Sequence, residues 1–371
     1  MSGIYVHIPF CQSRCIYCGF YSTTGLSLRQ RYVDALCCEY HLRHDYITLP
    51  PITIYIGGGT PSVLTASQLE QLFATVWDCN SPSTEVTIEC NPDDVTEDFA
   101  VLLGRLPVNR VSMGAQTFND ERLRFLHRRH TSGQVALAVD RLRRAGIDNI
   151  SIDLIYGFPG QTLVEWEDDV DKALALGVEH LSAYALTYEE GTPLHRLFQQ
   201  GRVQPIDDEQ SRAMYYALLD RTAAAGFEHY EISNFALPGR RSRHNSGYWN
   251  GTPYLGLGAA AHSYDGQSRR WNVADVVKYI EGVESGQLNY EGETLDADTL
   301  YNELVMTALR TIDGLTLSLL SPTERSYCLS MAARYIDGGL LVHDKEKGRL
   351  RLTRDGLFVS DMVIADLMKV P

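Results

Sequence analysis

The first two thirds of the chain alternate between two hydrophobic patterns. Short runs rich in β-branched and aromatic residues predict strands at 4–8, 53–56, 85–89, 110–113, 149–154 and 180–184. Helical periodicity separates them at 28–46, 67–77, 99–103, 133–145 and 163–176. Thr65 and Ser132 are placed to cap the second and fourth helices, and Gly146 and Gly177 to end the last two. Six β/α units in succession predict an α/β fold with a parallel sheet, either open or curled into a partial (β/α)6 barrel.

The pattern changes in the last third. After an amphipathic stretch at 207–225, residues 233–264 are rich in Gly, Asn and aromatic residues with little periodicity, which indicates an ordered connector. Residues 338–352 predict two short strands around a charged hairpin, between helical patterns on either side, an order similar to a small winged-helix domain. We therefore expect a core at 1–232, a connector at 233–295 and a small C-terminal winged-helix-like α+β domain at 296–371.

Composition narrows the classes of partner. The 371 residues are 44% hydrophobic, enough for a sizeable core, and carry a net charge of −14. This charge gives no broad cationic surface, so we expect small molecules or proteins as partners and no nucleic acid. The N-terminus has no signal-peptide pattern and no apolar run spans a bilayer, which predicts a soluble, cytoplasmic protein. Transient membrane association stays open, without direct support from a basic amphipathic helix.

Candidate chemistry follows the predicted strands at their carboxyl ends. Cys11 follows the first strand, Gly57 to Pro61 the second, Glu89 ends the third, Gln116 follows the fourth and Asp153 lies at the end of the fifth. Parallel α/β folds place their sites at this edge of the sheet, so we expect these residues to converge.

Three cysteines form the most specific motif. Cys11, Cys15 and Cys18 have the spacing C-x3-C-x2-C, which can hold three irons of a [4Fe-4S] cluster and leave the fourth iron open. The spacing is similar to that of the radical S-adenosylmethionine (SAM) superfamily, which implies that SAM chelates the open iron and that Tyr17 packs near its adenine. A zinc site with His7 as fourth ligand, or an inert loop, are the alternatives. The other cysteines are expected to be buried or spectator thiols: Cys37, Cys38, Cys79, Cys90 and Cys328.

The second motif is the glycine run at 57–61, directly after a strand. Glycines lack Cβ atoms and let backbone carbonyls approach a ligand closely, although a glycine-rich strand end by itself is usually a turn. Together with the cysteine motif, the resemblance to radical SAM proteins implies that the glycine run accepts hydrogen bonds from the SAM ammonium.

With these motifs in place, most of the chain resembles the family of oxygen-independent coproporphyrinogen III oxidase-like proteins. The matching stretches are 5–11, 57–61, 89–92, 112–118 and 152–162, followed by a C-terminal domain of the family's type. The resemblance implies a set of SAM contacts: Tyr5, Gly58, Gly59, Thr60, Glu89, Gln116, Arg128 and Asp153. The alternative is a structural role, such as that of a helix-surface arginine or of a strand-end carboxylate that caps a helix.

Two departures separate this chain from the oxidase itself. The oxidase has a further Cys where this chain has Phe20, and a long N-terminal extension where only ten residues precede Cys11. Residues 243–249 instead carry an H-N-x-x-Y-W sequence similar to the heme chaperone branch of the family. That resemblance implies His244 as a heme ligand and Tyr248 and Trp249 packed on the porphyrin, with Arg240, Arg241 and Arg243 near its propionates. A structural role for His244 is the alternative.

The leading hypothesis is a radical SAM [4Fe-4S] protein that acts as a heme chaperone. It would bind heme and deliver it to heme-requiring recipient proteins, with the C-terminal domain for docking. We expect these recipients to be proteins of respiration. We name no catalytic residue and expect no coproporphyrinogen dehydrogenase activity, although the SAM site is intact. The alternatives are an oxygen-independent coproporphyrinogen III dehydrogenase, another radical SAM enzyme acting on a tetrapyrrole, and a zinc-stabilised protein.

Overall fold

The computed structural model describes residues 2–77 and 81–369, so Cys79 lies outside the described residues. Its strands are β1 Ser2–Ile8, β2 Pro51–Gly58, β3 Glu85–Cys90, β4 Arg110–Gln116, β5 Ile150–Tyr156, β6 His180–Ala185, β7 Glu228–Glu231, β8 Asn234–Ala236, β9 Tyr254–Leu257, β10 His262–Tyr264, β11 Ser268–Asn272, β12 Tyr290–Thr294, β13 Leu315–Thr316, β14 Leu341–Asp344 and β15 Arg349–Leu352. Its α-helices are α1 Arg29–Arg43, α2 Ala66–Val76, α3 Glu97–Arg105, α4 Asp120–Phe125, α5 Ser132–Arg144, α6 Leu163–Ala175, α7 Pro193–Gln199, α8 Asp208–Ala224, α9 Arg243–Trp249, α10 Val276–Glu284, α11 Ala297–Leu309, α12 Pro322–Asp337, α13 Arg354–Phe358 and α14 Ser360–Leu367.

The six predicted strands and the five helices between them are confirmed, with bounds that move by a few residues. Thr65 caps α2 in a reciprocal capping box. The prediction of Ser132 as the cap of α5 is wrong by one residue: Thr131 is the N-cap, because its N–H donates to Gln134 Oε1 at 2.8 Å. Gly146 and Gly177 follow their helices with φ of +86° and +65°, the left-handed conformation that ends a helix.

Strands β1 to β6 lie side by side in chain order and are parallel throughout. β9 extends the sheet in parallel beyond β1, and β10, β11 and β12 continue it in antiparallel fashion. β8 and β7 close the other edge beyond β6. Residues 233–295, expected to be a connector, thus contribute five strands to the main sheet; the domain boundaries drawn from the sequence stay a prediction.

The two faces of the parallel strands differ in chemistry. One face is apolar and packs beneath the helices, with buried side chains such as Ile4, Ile54, Ile88, Met113 and Ile152. The alternate positions carry polar or aromatic side chains on the other face, namely Tyr5, His7, Thr53, Tyr55, Thr87, Glu89, Arg110, Ser112, Asp153, His180 and Ser182. Inward-facing residues from β2 to β6 line one cavity, so the sheet is curled into a partial barrel with a polar interior.

The C-terminal part of the chain has a core of its own. Helices α11, α12 and α14 pack around the three-stranded sheet β13-β15-β14, with a buried cluster that includes Val305, Leu309 and Leu350. The order of helix, strand, helix and hairpin is that of a winged helix, as the sequence predicted. No helix in the described part of the chain combines the length and apolar character needed to cross a bilayer.

Candidate functional site

A cavity of about 840 Å³ opens at the carboxyl end of the parallel strands. It brings together eleven residues that the sequence singled out: Cys11, Cys15, Tyr17, Cys18, Gly58, Gly59, Thr60, Glu89, Gln116, Arg128 and Asp153. Tyr5 and His244 are not among its lining residues. The prediction that the strand ends converge on one site is therefore confirmed for most of the set.

The cysteine loop is held at its ends and in its middle. At the ends, Cys11 N–H donates to Thr23 O at 2.9 Å and Thr23 N–H to Pro9 O at 2.7 Å. In the middle, Ile16 is buried in a separate apolar cluster with Leu126 and Leu194, and its N–H donates to Leu126 O at 3.2 Å. These contacts fix the loop, so the three thiols face one space.

The thiols have the surroundings of a metal-cluster site. Thr60 Oγ1 lies 3.6 Å from Cys11 Sγ, and Arg128 Nη1 lies 3.6 Å from Cys15 Sγ, so a hydroxyl and a guanidinium can each donate to a sulfur. Burial raises the pKa of Cys11 and Cys18, which means that their thiolates need a compensating cation. Three thiols on one anchored loop fit a [4Fe-4S] cluster with one open iron.

The zinc alternative loses its fourth ligand. His7 Nδ1 lies 3.0 Å from Tyr5 Oη, and His7 Nε2 lies 3.1 Å from Tyr21 O, so both ring nitrogens are already used. Within 2–77 and 81–369, no three His, Cys, Asp or Glu side chains are arranged to hold a single metal ion. Thiolates that bind three different irons do not need to converge on one point, whereas zinc ligands do.

The glycine run forms a cradle beside the cysteines. Gly58 has φ of +108°, and a Cβ there would lie 2.5 Å from the ring of His7. A Cβ on Gly57 would lie 2.8 Å from the carboxyl group of Glu89. The run needs glycines because the backbone passes this close to its neighbours.

Two half-buried carboxyl groups face the cavity from β3 and β5, the strands on either side of β4. Glu89 accepts hydrogen bonds from Tyr55 Oη at 2.7 Å and from Gly58 N–H at 3.0 Å, and burial raises its pKa to about 7. Burial likewise raises the pKa of Asp153 to about 6, while Ser112 Oγ donates to it at 3.2 Å. Both groups can accept hydrogen bonds from ligand hydroxyls or an ammonium, and such donors would favour their ionised forms.

Gln116 and Arg128 complete the polar wall. Gln116 ends β4 with φ of +67°, where the register between β4 and β5 shifts, and this places its amide in the cavity lining. Arg128 donates to Asn91 Oδ1 at 2.7 Å and to Gly114 O, while its buried Nε has no partner among the described residues. Because Arg128 also lines the cavity, its guanidinium is positioned close to where a ligand carboxylate would bind.

His244 lies beneath the cavity, in the barrel interior. It is 4% exposed, its Nδ1 lies 2.8 Å from Thr53 Oγ1 and its Nε2 2.9 Å from Tyr248 Oη. Its ring stacks on Tyr55 with centroids 5.1 Å apart, and Tyr5 lies on the same side at 6.3 Å. His244 as a heme ligand therefore stays a prediction, and the contacts of both ring nitrogens with hydroxyl groups favour a structural role instead.

Two of the three arginines expected near the propionates are engaged elsewhere. Arg241 pairs with Glu228 at 3.0 Å, and Arg243 donates to Ser83 O at 2.7 Å on the outside of the barrel. Among the motif residues, Asn245 alone lines the cavity.

Sequence reasoning missed three residues of the site. Tyr55 donates to Glu89, and Arg110 lies 1% exposed in the barrel, with Nε and Nη1 unpartnered among the described residues. The sequence pattern could have identified Tyr55 and Arg110. Each alternates with apolar residues along its strand, which places it on the inner face of the barrel. Arg310 lines the cavity from the C-terminal part of the chain, and no local pattern marks it.

Comparisons with known proteins agree with this geometry. The model of the radical SAM superfamily matches residues 5–173. The chain is 37% identical to the heme chaperone HemW of Mycobacterium tuberculosis strain H37Rv, over 99% of this chain and 94% of that protein. It is 35% identical to HemW of Lactococcus lactis, with 98% and 96% covered.

Among solved structures, coproporphyrinogen III oxidase (HemN) from Escherichia coli, described as a radical SAM enzyme, superimposes with a TM-score of 0.83. The identity is 22%, over 99% of this chain and 90% of that one, so this likeness establishes the fold. The cysteine loop, the glycine cradle and the full-length similarity lead to one conclusion: this chain belongs to the radical SAM superfamily and, within it, to the family of the heme chaperone HemW.

Proposed function

We propose that this protein is a heme chaperone that binds heme in its cavity and delivers it to heme-requiring proteins. The observation that carries the proposal is similarity to HemW proteins along practically the whole chain, with 99% of it covered. Similarity confined to residues 5–173 would have supported only the SAM-binding core. The shared C-terminal part instead argues that the whole architecture serves the same task.

The cysteine side of the cavity is the proposed SAM and cluster site. Cys11, Cys15 and Cys18 would hold a [4Fe-4S] cluster, whose open iron would bind SAM. Arg128 lines the cavity with a guanidinium that suits the carboxylate, and Glu89 and Asp153 can accept from hydroxyls or the ammonium. Gly58 and Gly59 let backbone atoms approach the ligand.

The other side of the cavity has the chemistry of a heme pocket. Tyr215, Ile232 and Phe358 line it, which provides aromatic and aliphatic walls for a flat apolar ring. The volume of about 840 Å³ is in the upper part of the usual range for ligand pockets, about 300–1,000 Å³.

The position of Phe20 favours a chaperone over the oxidase. The side chain is 71% exposed at the cavity rim, next to Cys18, where the sequence comparison expected a further cysteine in the oxidase. An apolar exposed residue at the rim suits contact with heme or with a recipient protein.

Delivery to respiratory recipients, a cytoplasmic location and docking through the C-terminal part also belong to this proposal. The winged-helix order of that part does not by itself imply DNA binding, since the chain carries a net charge of −14.

The test is one anaerobic preparation used for three measurements. The reconstituted protein should contain about four irons and four sulfides, bind heme in an absorption titration, and pass it to an apo-form heme protein. Coproporphyrinogen III supplied with SAM and a reductant should stay unchanged. Conversion of coproporphyrinogen III to protoporphyrinogen IX, or failure to bind heme, would overturn the chaperone function.

A further inference from the structure

The cavity has a second charged end, opposite the cysteine loop. Arg14, Arg128 and Arg129 are on the cysteine side, whereas Arg310 lines the cavity from the C-terminal part of the chain. Among the described lining residues, Arg310 is the only arginine or lysine at this end, where Tyr215, Leu357 and Phe358 form the walls. Asp361 also lines this end and pairs with Arg310 at 3.3 Å. A guanidinium beside aromatic and aliphatic surfaces matches a ligand that is apolar with an anionic edge.

Main-chain contacts hold Arg310 at this position. The residue follows α11, and its carbonyl accepts a hydrogen bond from Ile232 N–H at 3.1 Å, while Ile312 N–H donates to Tyr230 O at 3.1 Å. Two main-chain hydrogen bonds thus join the segment after α11 to β7 and the turn that follows it. The guanidinium is placed by backbone structure and not only by its own side-chain torsions.

The side chain is oriented but not saturated. Its Cζ lies 5.5 Å from the ring centroid of Trp249, at the end of the H-N-x-x-Y-W motif, which fixes the guanidinium plane by a cation–π contact. Nη1 reaches Asp361 Oδ1 at 3.3 Å, a long contact to a side chain that is 92% exposed, and the buried Nε has no partner among the described residues. An ion pair of this kind contributes little, so a ligand carboxylate can replace it.

We propose that Arg310 binds a carboxylate of the tetrapyrrole and so sets which edge of heme enters the cavity. The inference rests on the proposed heme-binding function and adds the recognition of the propionate edge. Trp249 acts as a positioning residue, and this gives the motif a connection to heme that does not pass through a His244–iron bond.

The experiment compares heme with its dimethyl ester, in which both carboxylates are blocked. The reconstituted full-length protein is titrated with each, and the ratio of the two dissociation constants reports the carboxylate contribution. A hydrogen bond to a charged group changes affinity by roughly tenfold or more, so wild type should prefer heme by about tenfold. Arg310→Gln should lower this preference to about one, and Arg310→Lys should retain part of it.

Arg354→Gln is the matched control. Arg354 is also in the C-terminal part and pairs with Asp220 at 2.6 Å, but it does not line the cavity. The Arg354→Gln substitution removes the same charge and one ion pair. It should leave the preference for heme over the dimethyl ester unchanged. Thermal unfolding and iron content of every variant show whether Arg310→Gln has only loosened the C-terminal part.

The outcomes are distinct. If wild type binds neither ligand, the proposed function itself fails. If wild type binds both equally, or if Arg310→Gln keeps the tenfold preference, Arg310 does not hold a carboxylate, and heme binding stands without it. A loss of SAM binding in Arg310→Gln with heme preference intact would also overturn the assignment.

Discussion

Replacing His244 by Ala tests whether the H-N-x-x-Y-W motif binds heme iron or supports the barrel. In wild type the imidazole contacts Thr53 Oγ1 at 2.8 Å and Tyr248 Oη at 2.9 Å. It also stacks on Tyr55, with the ring centroids 5.1 Å apart. We expect His244→Ala to destabilise the fold while the shape of the heme absorption spectrum stays the same.

The size of the effect follows from these contacts. Truncating a large, fully buried side chain costs about 2–5 kcal/mol, and each hydroxyl left without a partner adds about 1 kcal/mol. Since the neighbouring tyrosines can partly relax into the space, we expect a loss of about 4 kcal/mol in the free energy of unfolding at pH 7.

The pH dependence gives a second signature. Burial lowers the pKa of His244 from 6.5 to about 3, so the folded state keeps the ring neutral while the unfolded chain takes up a proton. A depressed histidine pKa stabilises the fold above pH 6.5, and this contribution is lost as the pH falls toward 3. Between pH 7 and pH 5 wild type should lose about 2 kcal/mol through this group, and His244→Ala should not.

Urea unfolding followed by circular dichroism at the two pH values measures both quantities. His262→Ala is the control, because His262 is exposed and stacks on Trp271 with centroids 5.7 Å apart. It should cost less than about 1 kcal/mol. A His244→Ala protein with wild-type stability and an altered heme spectrum would refute the structural role and restore the histidine as a ligand.

Three further predictions concern the cysteine side of the cavity. Cys15→Ser should abolish the iron–sulfur absorption after reconstitution, whereas Cys38→Ser, at an exposed position, should keep it. Gly58→Ala should weaken SAM binding in calorimetry and cost about 2–4 kcal/mol in chemical unfolding, because its φ is +108°; Gly133→Ala, with open space in α5, should gain about 0.5–1 kcal/mol. Without ligand, Glu89 with a raised pKa of about 7 should make the free energy of unfolding fall as pH rises from 4.5 to 8, by at most about 3 kcal/mol, and Glu89→Gln should flatten that slope.

The parallel core was predictable because its signals are local. Period-two alternation and capping residues such as Thr65 act within one element, and the carboxyl ends of parallel strands necessarily share an edge. The sequence alone therefore allows Glu89, Gln116 and Asp153 to be assigned to one site. The strands in 233–295 are only three to five residues long and have no clear strand pattern. They form because the edges of the main sheet offer unpaired backbone groups. Pairing with a sheet edge is a long-range interaction, and the local sequence of the segment carries no signal for it.

The site residues that the sequence missed depend on long-range contacts. Arg310 reaches the cavity because its backbone pairs with Ile232, a residue from another part of the fold. The role of His244 also depends on distant neighbours: the motif suggests an iron ligand, whereas burial and two hydroxyl partners favour a structural role. A motif shows which type of side chain is available. Whether that side chain is free to bind a ligand depends on neighbours that are distant in sequence.

The H-N-x-x-Y-W motif acquires a coherent structural reason once its residues are followed individually. His244 fastens α9 to the barrel interior, Asn245 faces the cavity, and Trp249 packs against Arg310 after α11. One short helix thus joins the barrel floor, the cavity and the C-terminal part. Because the same helix contacts all three, substitutions along it should change heme binding through the placement of Arg310, even though no side chain of the motif needs to touch the iron.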